Sequence, residues 1–403
     1  MGAGVVLAAL AGIMVHYATS DDKTPLNVDF VLGGGTDVTG KGDQLAIQGN
    51  FRGLAAAPDG TIYLFTQEDD KSDNGMVMWR KKSSGAAERI NISGMNEVTA
   101  NQAAVAPDGS AYLATAKGLW KVSPDGKATI AVKGDCKTPD PLVTAVKKFC
   151  AQQITGVALD EDGSIYIGDQ VVWGDVASYV HRIDGDSIEL VAGRAPKRGE
   201  SYKRSNQAVK NGTNPATGTK AKDVLVPETI NSGWLASGKD GIYWRTGPGI
   251  VRINDDRTLS PFVASKAPDK IGEVQSPFTS VGRALDAKIP RSVQDHAGGL
   301  AAIPGRGEVY YADPSETGVT PTFEGDFSWH GVTSGSQKKL LESSASGSVV
   351  YRVADGELAP VIAGVQALAT SDNSLYVAVE SDGGERSGPE DWETAVLRVR
   401  LPK

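Results

Sequence analysis

The sequence predicts an all-β chain, folded as a six-bladed β-propeller of four-stranded antiparallel blades. Three observations predict it. A hairpin with a tyrosine in its second strand recurs six times, as in "PDGTIYLFT" from Pro58 and "PDGSAYLAT" from Pro107. A third strand with a basic residue at one fixed place follows every hairpin. The sixth copy stops one strand short, and a strand of the missing form stands near the N-terminus.

The elements follow in chain order. The first strands read "GLAAAP", "QAAVAP", "GVALDE", "GWLASG", "GLAAIP" and "QALATS". The second strands centre on Tyr63, Tyr112, Tyr166, Tyr243, Tyr310 and Tyr376. Asp-Gly pairs between such alternating apolar runs are hairpin signals. The third strands carry Arg80, Lys121, Arg182, Arg252, Arg352 and Arg398. Fourth strands such as "IELVAG" and "LAPVIAG" come next. The sixth unit ends at "AVLRVRLPK", and "NVDFVLGGG" matches the fourth-strand form. The N-terminal strand is therefore expected to close the last blade, which removes two unpaired sheet edges. The blades are placed at about 53–93, 102–133, 154–193, 231–265, 298–363 and 366–403 plus 27–34. Six equivalent Tyr and basic residues point to blade packing, where the Tyr body and the basic stem cover apolar surface.

These hairpins, the "[VI]-x-R-[VI]" third strands and the "VAG" endings resemble the NHL-repeat family of six-bladed propellers, of the exported or membrane-anchored bacterial type. The likeness covers residues 27–403 and extends to the links between blades, such as "GRALDAKIPRSVQDHAGGLAAIPG". It implies a fold and not an activity, because the family includes binding modules, sensor domains and a few lyases and hydrolases.

Gly2–Val15 is uncharged and nearly all apolar, and no Lys or Arg precedes Lys23. Residues 1–20 are read as a signal peptide or a short membrane anchor. Either places the propeller, residues 21–403, outside the cytoplasm, secreted or anchored by its N-terminus. The two cysteines, Cys136 and Cys150, lie in one segment without a histidine, so a disulfide is expected. The net charge of −8 excludes a chain built to hold nucleic acid.

Nearly all insertions fall in second-to-third-strand loops and in links between blades. Examples are Gly134–Gln153, Arg194–Thr229, Lys266–Ala297, Asp313–Ser346 and Glu380–Glu393. In a meander these two loop classes emerge on one face, and long loops on a rigid scaffold are where binding concentrates. One insertion is strongly basic. Its stretch Gly193–Lys222 holds Arg194, Lys197, Arg198, Lys203, Arg204, Lys210, Lys220 and Lys222 against a single acid, Glu200. Its expected partner is an acidic protein or an anionic envelope component. The alternative is a solvated loop.

The mouth of the axial channel is the second candidate. By repeat alignment Arg52, Asn101, Thr155, Asn231, His296 and Gln366 rim it. A few convergent polar groups are what a small-ligand site needs, although a propeller axis also carries polar groups for structural reasons. Among the four histidines, only His296 is well placed, so a three-histidine zinc site cannot be built. Glu228, Asn231 and Asp295 offer an oxygen set for a divalent ion, calcium or another. That would make a metal-dependent hydrolase, lactonase or lyase at the axis. "GTDVTGKG" fits a phosphate-loop spacing but ends on Gly42 where a hydroxyl is required. No cofactor is predicted, and no motif specifies an enzyme. The leading expectation is an extracytoplasmic binding or sensor module using the loop-rich face. The alternatives are the axial metal-dependent enzyme and a structural subunit of an envelope assembly.

Overall fold

The computed structural model describes residues 28–35, 37, 41–47, 49–68, 75–95, 100–137, 139–171, 177–197, 215–226, 233–246, 249–263, 282–286, 299–303, 305–313, 348–371, 373–380 and 394–401. Its strands form six separate antiparallel sheets. Five sheets each contain strands consecutive in sequence. The sixth joins Val28–Leu32 to Thr394–Arg400, Ser374–Glu380 and Ala367–Ser371. Val28 pairs with Val399 and Phe30 with Leu397. The N-terminal strand thus supplies the outer strand of the last blade. Asp29 accepts hydrogen bonds from Arg398 and Arg400 at 2.8 and 2.9 Å.

The innermost strands are Asn50–Ala56, Gln102–Val105, Ile154–Leu159, Leu235–Gly238, Gly299–Ala302 and Ala367–Ser371. Each touches the next and the last touches the first, so the ring is closed. There is no single central core. Six apolar layers lie between neighbouring blades, such as Leu32, Leu54, Leu64 and Val396 between blades six and one. The layer between blades four and five holds Tyr243, Tyr311, Tyr351 and Val353. Each sheet buries both faces against its neighbours, which is why a repeat of one hairpin pattern suffices.

In every blade the recurrent Tyr sits opposite the recurrent basic residue, as in Tyr63 with Arg80 and Tyr376 with Arg398. The basic groups in turn meet acids: Arg80–Glu88, Lys121–Asp108, Arg182–Asp162, Arg252–Asp240, Arg352–Glu308 and Arg398–Asp29. Such half-exposed pairs contribute about 0–1 kcal/mol each. In blade five, burial works to raise the Glu308 carboxyl, but hydrogen bonds from Arg352 and Tyr310 outweigh it and hold it below its ordinary value. The Asp-Gly turns have an equally local cause. Asp59, Asp108 and Asp162 each accept the N–H two residues on at 2.8 Å. The following glycines sit at φ of +81°, +79° and +84°, where a side chain is strained.

Several links make a 3-10 turn, and those at 42–44, 221–223 and 284–286 touch the outer strand of the preceding blade. The turns are Gly42–Gln44, Val146–Lys148, Ala221–Asp223 and Ala284–Asp286. Two-residue strands at Thr219–Lys220 and Gly282–Arg283 add a fifth strand to blades four and five.

Cys136 and Cys150 are bridged, with Cα atoms 6.0 Å apart. The bridge closes the link between blades two and three, and a disulfide is the mark of an oxidising compartment. Replacing both cysteines with serine is expected to cost about 3 kcal/mol in denaturant unfolding. A change under about 1 kcal/mol would mean that backbone contacts alone hold the link.

Candidate functional site

Antiparallel order places the second-to-third-strand loops and the blade links at one end of the ring, and the short hairpin turns at the other. The described mouth residues lie at the loop-rich end. Arg52 and Thr155 each occupy a β-bulge, where the register shifts between Phe51 and Gly53 and between Ile154 and Gly156. A bulge re-aims one side chain out of the alternation; here Arg52 is half-buried and Thr155 buried.

Arg52, Asn101 and Thr155 donate hydrogen bonds within the fold. Arg52 donates to Gln67 Oε1 at 2.8 Å and to Phe51 O at 2.9 Å. Asn101 donates to Ile154 O across the blade boundary at 3.1 Å. Thr155 donates to Gly168 O at 3.4 Å. Gly233 lets blade four approach it, since a Cβ there would lie 2.0 Å from Thr155 Oγ1. Gln366 is half-buried, and its backbone N–H donates to Ala378 O. Asn231, His296, Glu228 and Asp295 lie outside the described residues. Among the described residues, no cluster of His, Cys, Asp and Glu is suited to a metal.

The residue that commands the axis is Gln102, one position past Asn101. Its Nε2 donates to Leu235 O at 2.5 Å and Leu300 O at 3.0 Å. Its Oε1 accepts from Leu235 N at 3.0 Å and Val157 N at 3.1 Å. Val157, Leu235 and Leu300 hold the same repeat place in blades three, four and five. Innermost strands turn one ladder edge to the axis, and its peptide groups need partners. One amide satisfies four of them and uses its two donors and two acceptor positions in doing so. The equivalent residues in other blades are Gly53, Gly156, Trp234, Gly299 and Ala367. That contrast is the signal in the sequence that would have singled out Gln102.

Beyond Gln102 the channel continues toward the plain face as a cavity of about 160 Å³. Ala56, Ala104, Ala158, Ala236, Ala302 and Ala369 are among its walls, and no described lining residue is charged. Ser237 and Thr370 supply the hydroxyls of its described lining, which holds no acid or base.

Between blades four and five the loop-rich end carries a buried cation. The Arg245 guanidinium lies 4.9 Å from the Trp234 ring and 5.7 Å from Tyr311, and donates to Ala312 O at 2.8 Å. This clasp joins two blades through cation–π contact.

Of the basic insertion, Arg194, Lys197, Lys220 and Lys222 are described. Arg194 donates to Asp223 O at 2.9 Å. Lys220 and Lys222 are exposed and flank the buried Ala221 at the edge of blade four. Lys197 is exposed. Arg198, Lys203, Arg204 and Lys210 lie outside the described residues. No described helix is long and apolar enough to cross a membrane, and the apolar N-terminal run also lies outside them.

The chain is a six-bladed β-propeller. No protein-family model matches it, and no curated protein does. Solved structures resemble it weakly. A protein of unknown function from Bacteroides thetaiotaomicron aligns at 12% identity and a TM-score of 0.47, over 93% of this chain and 75% of its own. A calcium-binding regucalcin from Agrobacterium tumefaciens aligns at 12% and 0.43, over 87% and 91%. A gluconolactonase from Xanthomonas campestris aligns at 12% and 0.42, over 89% and 88%. Likeness of this degree says nothing of activity.

Proposed function

We propose that this chain is an extracytoplasmic binding module that recognises a protein or an anionic envelope component through its loop-rich face. The observation that carries this reading is the closure of the axis by Gln102, whose hydrogen-bonding positions are all used inside the ring. Arg52, Asn101 and Thr155 also direct donors into the fold, which leaves the loops around the mouth as the recognition surface of this reading. The disulfide supports an oxidising compartment. The resemblance to NHL-repeat propellers accords with a binding role. Attachment through the apolar N-terminal run belongs to the same reading.

The test is capture from an envelope extract with residues 21–403. The comparison is a variant with Lys197, Arg198, Lys203, Arg204 and Lys210 replaced by serine. Arg194, Lys220 and Lys222 are left in place because they border the added strand of blade four. Loss of the partner in the variant, with salt-sensitive capture by the parent, is expected. Unchanged capture would remove the basic loop from the reading. Metal analysis of the same protein tests the axial enzyme. A stoichiometric divalent ion that disappears in Glu228→Gln and Asp295→Asn would favour a hydrolase or lactonase. A partner that stays bound in fixed ratio through high salt would favour a structural subunit.

A further inference from the structure

We propose that Asp169 and the disulfide-closed link Gly134–Gln153 form a proton-controlled latch, closed while the carboxyl is protonated, that sets the rim of the mouth. Asp169 lies in the second strand of blade three, Ile165–Val171, and is 1% exposed. Its Oδ1 accepts the N–H groups of Gln152 at 3.0 Å and Gln153 at 3.4 Å. Its Oδ2 has no hydrogen-bond partner among the described residues.

The same leg of the link is stapled from the other side. Asp135 N–H donates to Gln152 O, Cys136 N–H donates to Ala151 O, and Gln152 Nε2 donates to Cys136 O at 3.4 Å. Directly beyond Gln153 come Ile154, whose carbonyl takes the Asn101 side chain, and Thr155 on the rim. Two of the rim residues therefore hang on the leg that Asp169 holds.

The surroundings decide the sign. On the paired strand Tyr179 stands opposite Asp169, and His181 follows on the same face. His181 is fully buried against Phe149, ring centres 4.7 Å apart, with no hydrogen-bond partner at either ring nitrogen among the described residues. The neighbours on the strand itself, Ile167 and Val171, are apolar. The apolar layer shared with blade two brings Tyr112, Ala114 and Leu119. No described cation faces the carboxyl. Protonation at Oδ2 removes a buried charge and leaves Oδ1 free to accept both N–H groups. Ionisation leaves a buried carboxylate half unpaired, which is costly. Burial pushes the Asp169 carboxyl up to about 7, against the pull of the Gln152 and Gln153 N–H groups. Burial also holds His181 down at about 3, so it stays neutral and offers no counter-charge. An acid raised on docking is docked most firmly below its ordinary value of 3.8. Docking weakens as pH rises toward the raised value and levels off above it.

Hydrogen exchange of the full chain reads the latch without a ligand. Protection of the amides at residues 152–155, corrected for intrinsic exchange, is expected to fall roughly thirtyfold between about pH 5.5 and about pH 8. In Asp169→Asn the same amides are expected to lose that dependence. Constant protection in the parent, or an unchanged slope in the variant, would overturn the latch. If the variant does not fold, infrared titration of the parent carboxyl decides, and a midpoint near the ordinary aspartate value overturns it. The effect of the latch on recognition rests on the binding reading above. Capture that weakens with pH in the parent and not in Asp169→Asn supports both, whereas a pH-dependent latch with pH-independent capture refutes only its link to recognition.

Discussion

A chain that begins at Gly34 is expected to fail to fold into a soluble monomer, measured against a reference that begins at Asn27. The truncation removes Val28–Leu32, the outer strand of the last blade. Val28 and Leu32 are 3% and 0% exposed, and losing each apolar side chain costs about 1.5–3 kcal/mol. The ladder to Thr394–Arg400 goes with them, as do the bonds from Arg398 and Arg400 to Asp29. Marginal stability is only about 5–15 kcal/mol for a typical domain. The strand left behind carries buried Ala395, Val396, Leu397 and Val399 and would present a free edge to other chains. Circular dichroism and size exclusion read the result. A soluble, cooperatively melting truncation would show that the ring does not depend on this closure.

Gln102→Ala is expected to destabilise the propeller by about 2–4 kcal/mol. The change strands the peptide groups of Val157, Leu235 and Leu300 at the axis, and water entering along the channel offsets part of the cost. Gln102→Glu is expected to be worse at neutral pH. It replaces the donor facing Leu235 O and Leu300 O with an acceptor and places a charge on the axis. Acidification should recover part of that loss, because a protonated Glu regains one donor. Equal stability of Gln102→Ala and the parent in urea melts would mean that the strut contributes nothing net.

The blades themselves were legible in the sequence, and the reason is range. A Tyr such as Tyr63 and its Arg80 lie on consecutive strands joined by one loop, and turn chemistry at Asp59 and Gly60 is settled within a few residues. Even the closure across the whole chain was readable, since a missing strand and a matching spare are visible in a repeat. The site was less legible. Arg52, Asn101 and Thr155 were placed at the rim by alignment, but the alignment does not tell where their donors point.

The sequence by itself determined the number of blades, the order of strands, the closure and the pairing of Cys136 with Cys150, because each follows from local pattern or from a count. Only the tertiary structure decided that Gln102 seals the axis, since its partners stand up to 198 residues away and are backbone groups that no side-chain pattern marks. It also decided that Asp169 lies buried under the stapled link, with His181 uncharged beside it. Burial is a property of everything packed around a residue, and for these two that includes a neighbouring blade and a link from outside their own strands.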